Sequence, residues 1–209
     1  MAMTPEGNRV IYGDGGWAPF YDRLVERVSR DGRTRSIAAA AIEPGERVIL
    51  VGVGTGLDLP LLPAGVTAVG VDLSPAMMAR AQARLPLPGR EIQLVLGDAQ
   101  DLPVATATFD VAVLHLILSV VPDPRRAFAE AVRAVRPGGR LVIYDKFLAD
   151  GARPSWWRRA ANVVTTRFGT DINRRLGDVI GDQPCAVELD EPSALGGLYR
   201  VVRLRTRTK

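Results

Sequence analysis

Along the middle of the chain, short apolar runs alternate with segments of helical periodicity, and the order of the two kinds repeats. Residues 47–52 (RVILVG), 66–73 (VTAVGVDL), 91–99 (EIQLVLGDA), 109–120 (FDVAVLHLILSV) and 139–147 (GRLVIYDKF) read as strands. Segments 74–85 (SPAMMARAQARL) and 123–135 (DPRRAFAEAVRAV) read as helices, and 55–65 as a short helix or turn. Before them, 17–32 and 34–46 are helical in pattern, with Gly32 expected to interrupt and Pro44-Gly45 to stop the run. Strict alternation of strand and helix predicts parallel pairing with right-handed crossovers. Nearly unbroken apolar strands predict a sheet covered on both faces. Ser74-Pro75 and Asp123-Pro124 each set a capping side chain before a proline in the first helical turn. The tail differs: 187–206 (VELDEPSALGGLYRVVRLRT) holds two extended runs around a Gly-containing loop, an antiparallel hairpin at the end of the sheet.

Length and composition narrow this picture. With 209 residues, 47% hydrophobic and 24% charged, the chain suits one domain with a substantial core. One cysteine, Cys185, and one histidine, His115, leave no intramolecular disulfide, Cys-cluster metal site or multi-histidine zinc centre, so no metal is expected. Neither a leader pattern at the N-terminus nor a run long enough to span a bilayer is visible, and a cytoplasmic setting is the expectation. The formal charge of +4 comes from arginines scattered among acids, and no nucleic-acid partner is expected from it.

In an open α/β sheet, ligands gather outside the carboxyl ends of the strands, where the strand order reverses. The chemistry-bearing residues fall at that edge. Gly52, Gly54 and Gly56 follow the first strand, Asp72 ends the second, Asp98 the third, and His115 stands toward the end of the fourth. The glycines run G-x-G-x-G, with Leu57 where a dinucleotide fingerprint carries its third glycine, which disfavours a pyrophosphate. Asp72 has the place and chemistry to accept from a ribose diol, and Asp98 to face an adenine amino group. An adenosine without phosphates fits this set.

At these residues the chain resembles the class I S-adenosylmethionine-dependent methyltransferases, over roughly residues 10 to 148. VILVGVGTG is similar to the family's glycine motif, VGVDLSPAMM to its ribose motif, LGDAQDLP to its adenine motif and RAVRPGGRLVIYDKF to its post-helix motif. The resemblance implies a Rossmann-like, seven-stranded, mostly parallel sheet with helices on both faces and an antiparallel C-terminal hairpin. It implies one methyltransferase domain over 1–209: a helical lid segment at 1–44, a cofactor-binding core at 45–148, and a helical insert with the hairpin at 149–209. S-adenosylmethionine is the implied cofactor and S-adenosylhomocysteine its product. Gly52, Gly54, Thr55 and Gly56 would line its methionyl part, Asp72 hold the ribose, Asp98 and the Ala99 backbone read the adenine, and Leu73 and Met77 pack on its face. One departure stands out: the family commonly has an acid just before the first glycine, where this chain has Val51.

Other residues admit two readings each. His115, also near the cofactor crevice, is either a catalytic base with a suitable unperturbed pKa or a satisfied core histidine. Tyr12 and Tyr21 are either acceptor-side residues of the lid or packing residues. Asp145 and Lys146 either face the acceptor or form a surface ion pair. The patterns WAPFYD and SVVPDP resemble small bacterial relatives of phosphatidylethanolamine N-methyltransferases and, more distantly, quinone C-methyltransferases. That resemblance implies a small or amphiphilic acceptor, among them a phospholipid amine. Trp156, Trp157, Arg158 and Arg159 are then either a peripheral membrane contact or an ordinary helix across the crevice. Three competing functions are a nicotinamide-dependent oxidoreductase, disfavoured by Leu57 and the missing Tyr-x-x-x-Lys pattern, a non-catalytic cofactor-binding protein, suggested by Val51, and a nucleic-acid methyltransferase, suggested by charge alone.

Overall fold

A computed structural model describes the backbone of residues 18–148 and 173–208, with side chains from residue 29 onward. Tyr12 and the Trp156–Arg159 segment lie outside the described residues, and so does the side chain of Tyr21.

Helix α1 (Ala18–Ala40) leads into strand β1 (Arg47–Val51), a 3-10 turn at Leu59–Leu61 and β2 (Val66–Asp72). Helix α2 (Pro75–Gln82), β3 (Arg90–Leu96), β4 (Phe109–His115), α3 (Pro124–Ala134) and β5 (Val135–Lys146) follow. A short α4 (Leu176–Ile180) precedes β6 (Cys185–Pro192) and β7 (Tyr199–Thr206). The seven strands lie in the order β3-β2-β1-β4-β5-β7-β6, the first five parallel and β7 antiparallel to both neighbours. The anticipated sheet and hairpin are therefore both present. Order reverses between β1 and β4, which opens the crevice at their carboxyl ends.

Alternation along each strand divides the core into two layers. Val48, Leu50, Val111, Val113 and Val142 face α1 and α2, packing on Ile37, Ala40, Leu59 and Ala81. Ile49, Val51, Ala112, Leu114, Leu141 and Ile143 face α3 and α4, against Phe128, Ala131, Leu176 and Val179. Both predicted caps form, Ser74 accepting from the Met77 amide and Asp123 from the Arg126 amide.

Two local expectations are corrected. Gly32 does not interrupt the first helix, which runs unbroken for 23 residues. A Cβ at Gly32 would lie 2.1 Å from the Tyr144 ring, so the glycine makes room for an aromatic side chain on β5. The fourth strand ends at His115 rather than running to 120. Leu116 takes a left-handed φ of 58° and donates its N–H to the Tyr144 carbonyl at 2.8 Å, turning the chain out of the sheet.

Candidate active site

The turn after β1 is held from beneath by β2, because the amides of Gly52 and Val53 both donate to the Val71 carbonyl, at 2.8 and 2.9 Å. All three of its glycines have positive φ, for different reasons. A Cβ on Gly56 would come within 3.1 Å of the Ala81 backbone, so this glycine admits α2 close to the turn. That is the packing role of the third glycine in a dinucleotide fingerprint, performed one residue earlier. At Gly54 (φ 56°) nothing lies within 4 Å of a would-be Cβ, and the turn opens to ligand space there.

Asp72 braces this opening. One carboxylate oxygen accepts from the Gly54 amide at 2.7 Å and the other from the Ser74 amide at 2.9 Å. Burial pushes its pKa up, and the amide bonds oppose that shift. Each oxygen keeps a second lone pair for a hydroxyl. Beyond β3, Asp98 accepts from the Gln100 backbone amide at 2.8 Å and from its side-chain amide at 3.1 and 3.3 Å. Gln100 in turn accepts from the Asp123 amide at 2.9 Å. Leu73 and Met77 are half-buried, while Ala99 and Thr55 are buried. The Thr55 carbonyl accepts from Arg84 of the α2 C-terminal turn at 2.7 Å. An open glycine turn flanked by two partly accessible carboxylates fits an adenosine bearing no phosphates. Val51 is buried in the layer facing α3, so nothing at that position supplies a carboxylate.

Both ring nitrogens of His115 have partners, the arrangement of the satisfied-histidine reading. Its ring is buried, with Nδ1 2.9 Å from Asp58 and Nε2 2.8 Å from the Ser36 hydroxyl. Arg33 reaches the other Asp58 oxygen at 2.6 Å and the Ser29 hydroxyl at 3.0 Å. Burial alone would raise the Asp58 pKa, yet His115 and the Arg33 guanidinium hold it well below the usual carboxylate range. Ser36, His115 and Asp58 have the spacing of a nucleophilic triad. Ser36 is wholly buried, however, so no substrate carbonyl reaches its hydroxyl. The group instead ties α1, the loop after the glycine turn and the end of β4 together. Sequence reading missed Arg33, Ser36 and Asp58. The one signal was an acid inside the apolar stretch LDLPLL.

At the carboxyl end of β5, alternation sends Tyr144 and Lys146 to the α1 face and Asp145 to the other. Asp145 is wholly buried, accepting from the Ser119 amide at 3.0 Å and the Lys146 amide at 2.8 Å, and burial raises its pKa. The expected surface ion pair is thus replaced by a buried carboxylate turned away from Lys146. Tyr144 stacks on Tyr199 at 5.4 Å and meets His115 edge-on at 5.9 Å. Burial pushes the Tyr144 hydroxyl up to about 12.

Comparison with known proteins agrees with the fold. A family model described as a methyltransferase domain matches residues 49–143. Phosphatidylethanolamine N-methyltransferase of Cereibacter sphaeroides is 35% identical over 193 residues, spanning 91% of this chain and 94% of its own. Demethylmenaquinone methyltransferase of Renibacterium salmoninarum is 36% identical over 134 residues, 61% of this chain and 54% of the relative. A geranyl diphosphate methyltransferase solved in complex with S-adenosylmethionine shares the fold with a TM-score of 0.70, at 19% identity, across 96% of this chain and 95% of that one. The chain belongs to the class I S-adenosylmethionine-dependent methyltransferases. It is therefore a transferase, with S-adenosylmethionine as cofactor, and the oxidoreductase and non-catalytic readings fall away. Among the described residues no helix is long and apolar enough to cross a membrane.

Proposed function

We propose that this methyltransferase acts on the amine of an amphiphilic acceptor, a phosphatidylethanolamine-type headgroup. The observation that carries the reading is the near full-length match to a phosphatidylethanolamine N-methyltransferase, 94% of that relative's length. The quinone-methylating relative is matched over about half of its length, 54%.

In this reading Gly52, Gly54, Thr55 and Gly56 line the methionyl part of the cofactor. Asp72 accepts from the ribose hydroxyls, Asp98 and the Ala99 backbone meet the adenine, and Leu73 and Met77 flank it. Backbone carbonyls of the turn take the place of the acid that Val51 lacks. The bound cofactor supplies an electrophilic sulfonium methyl, so the protein has chiefly to align the nucleophile and exclude water. With both His115 nitrogens engaged, the acceptor amine enters as its free base and no imidazole takes its proton. Tyr12 and Tyr21 are taken as acceptor-side residues, and Trp156, Trp157, Arg158 and Arg159 as a contact with the lipid surface.

The test supplies the full chain with methyl-labelled S-adenosylmethionine and vesicles containing phosphatidylethanolamine or demethylmenaquinol, with products resolved by thin-layer chromatography. Label in N-methylated phosphatidylethanolamine is the expected result. Label confined to the quinone or to water-soluble products overturns the proposal.

A further inference from the structure

Of the 27 basic residues in the chain only two, Lys146 and Lys209, are lysines. Several arginines of the central sheet and its flanks are tied to acids. Arg33 pairs with Asp58, Arg133 with Glu130, Arg136 with Asp110, Arg140 with Glu46, Arg200 with Asp190, and Arg203 and Arg205 with Glu188. Lys146 breaks that pattern. Its ammonium lies 5.5 Å over the Tyr199 ring, and no described carboxylate forms an ion pair with it. Its neighbour Asp145 points to the opposite face, with both oxygens occupied by the amides of Ser119 and Lys146.

Position adds meaning to this cation. Lys146 closes β5 and pairs in register with Tyr199, the first residue of β7, so both stand at the carboxyl edge of the sheet. Tyr144 lies beside them, stacked on Tyr199 and touching His115 at the end of β4. The ammonium is half-buried on this aromatic floor, one strand beyond the crevice between β1 and β4. Burial lowers its pKa and the Asp145 charge opposes that shift. A compact ammonium with three donors and no carboxylate partner among the described residues is suited to a phosphate oxygen as a point charge.

We infer that Lys146, seated on Tyr199, binds the anionic phosphate of the acceptor and so sets the position of the amine to be methylated. The inference rests on the phospholipid-amine reading above. In an ethanolamine headgroup the amine and the phosphoester oxygen are two carbons apart, so holding one largely fixes the other. The same contact selects against amines that carry no phosphate.

The test has a binding arm and a turnover arm. Phosphorus NMR titration of O-phosphoethanolamine into the full chain, with S-adenosylhomocysteine present, compares wild type, Lys146→Gln and Lys146→Arg. The affinity is expected to fall about tenfold or more in Lys146→Gln, the size of one charge-assisted hydrogen bond, and to stay within a few-fold in Lys146→Arg. Equal S-adenosylhomocysteine affinity in all three verifies that each is folded. Failure of wild type to bind the probe, or unchanged binding by Lys146→Gln, overturns the inference. In the turnover arm, KM for phosphatidylethanolamine rises in Lys146→Gln while KM for S-adenosylmethionine does not. An unaltered lipid KM overturns the inference while leaving the acceptor reading standing. Probe binding that depends on Lys146, without any labelled phosphatidylethanolamine, supports the anion site and rejects the acceptor reading instead.

Discussion

Asp58→Ala is the sharpest perturbation of the network beneath the active site. The substitution removes the shared partner of Arg33 and His115, whose side chains are 11% and 1% exposed, and water can do little to replace it. Breaking a buried pair from one side costs about 3 to 5 kcal/mol, because the remaining charge is left uncompensated. Against a typical total of about 5 to 15 kcal/mol, that is a large share of the stability. With a urea m-value of about 3 kcal/mol/M, the unfolding midpoint is expected to drop by about 1 M or more. The assay is urea unfolding followed by circular dichroism, repeated across pH. Asp58 is depressed in the folded state, so its contribution is fully present above the ordinary carboxylate value of about 4. It is lost only as pH falls from there toward the folded value. The gap between wild type and Asp58→Ala should therefore hold from neutral pH to about 4 and narrow below it. A loss under about 0.5 kcal/mol, as for an ordinary surface change, would refute the reasoning.

Three further outcomes follow from the same geometry. His115→Asn should lose stability yet keep kcat within a few-fold, with the pH-rate profile unaltered; a fall of about 100-fold or more at unchanged stability would restore the imidazole as a base. Gly54→Ala should cost only about 1 to 2 kcal/mol of stability, from its left-handed backbone, while calorimetry shows S-adenosylhomocysteine affinity down at least about tenfold. Gly32→Ala should lower stability rather than raise it as helix propensity alone predicts, by about 1 to 3 kcal/mol or more of overpacking read as a lower Tm, and a Tyr144→Leu background should relieve most of that loss.

The parts legible in the sequence were those governed by neighbours along the chain. Strand alternation, the glycine turn and the caps at Ser74 and Asp123 each depend on a few consecutive residues, and each was present where expected. The corrections arise where distant residues meet. Gly32 reads locally as a helix breaker, and only its contact with Tyr144, on a strand more than a hundred positions later, explains why the helix continues. His115 was open to two readings because its partners, Asp58 and Ser36, lie 57 and 79 positions away and carry no periodic signature. Asp145 and Lys146 look like an ion pair when written side by side. A strand sends consecutive side chains to opposite faces, so the carboxylate enters the core and the ammonium is left at the rim without it. Adjacency in a strand thus separates two opposite charges that adjacency in the sequence suggests should pair, and that separation leaves the ammonium at the carboxyl edge of the sheet.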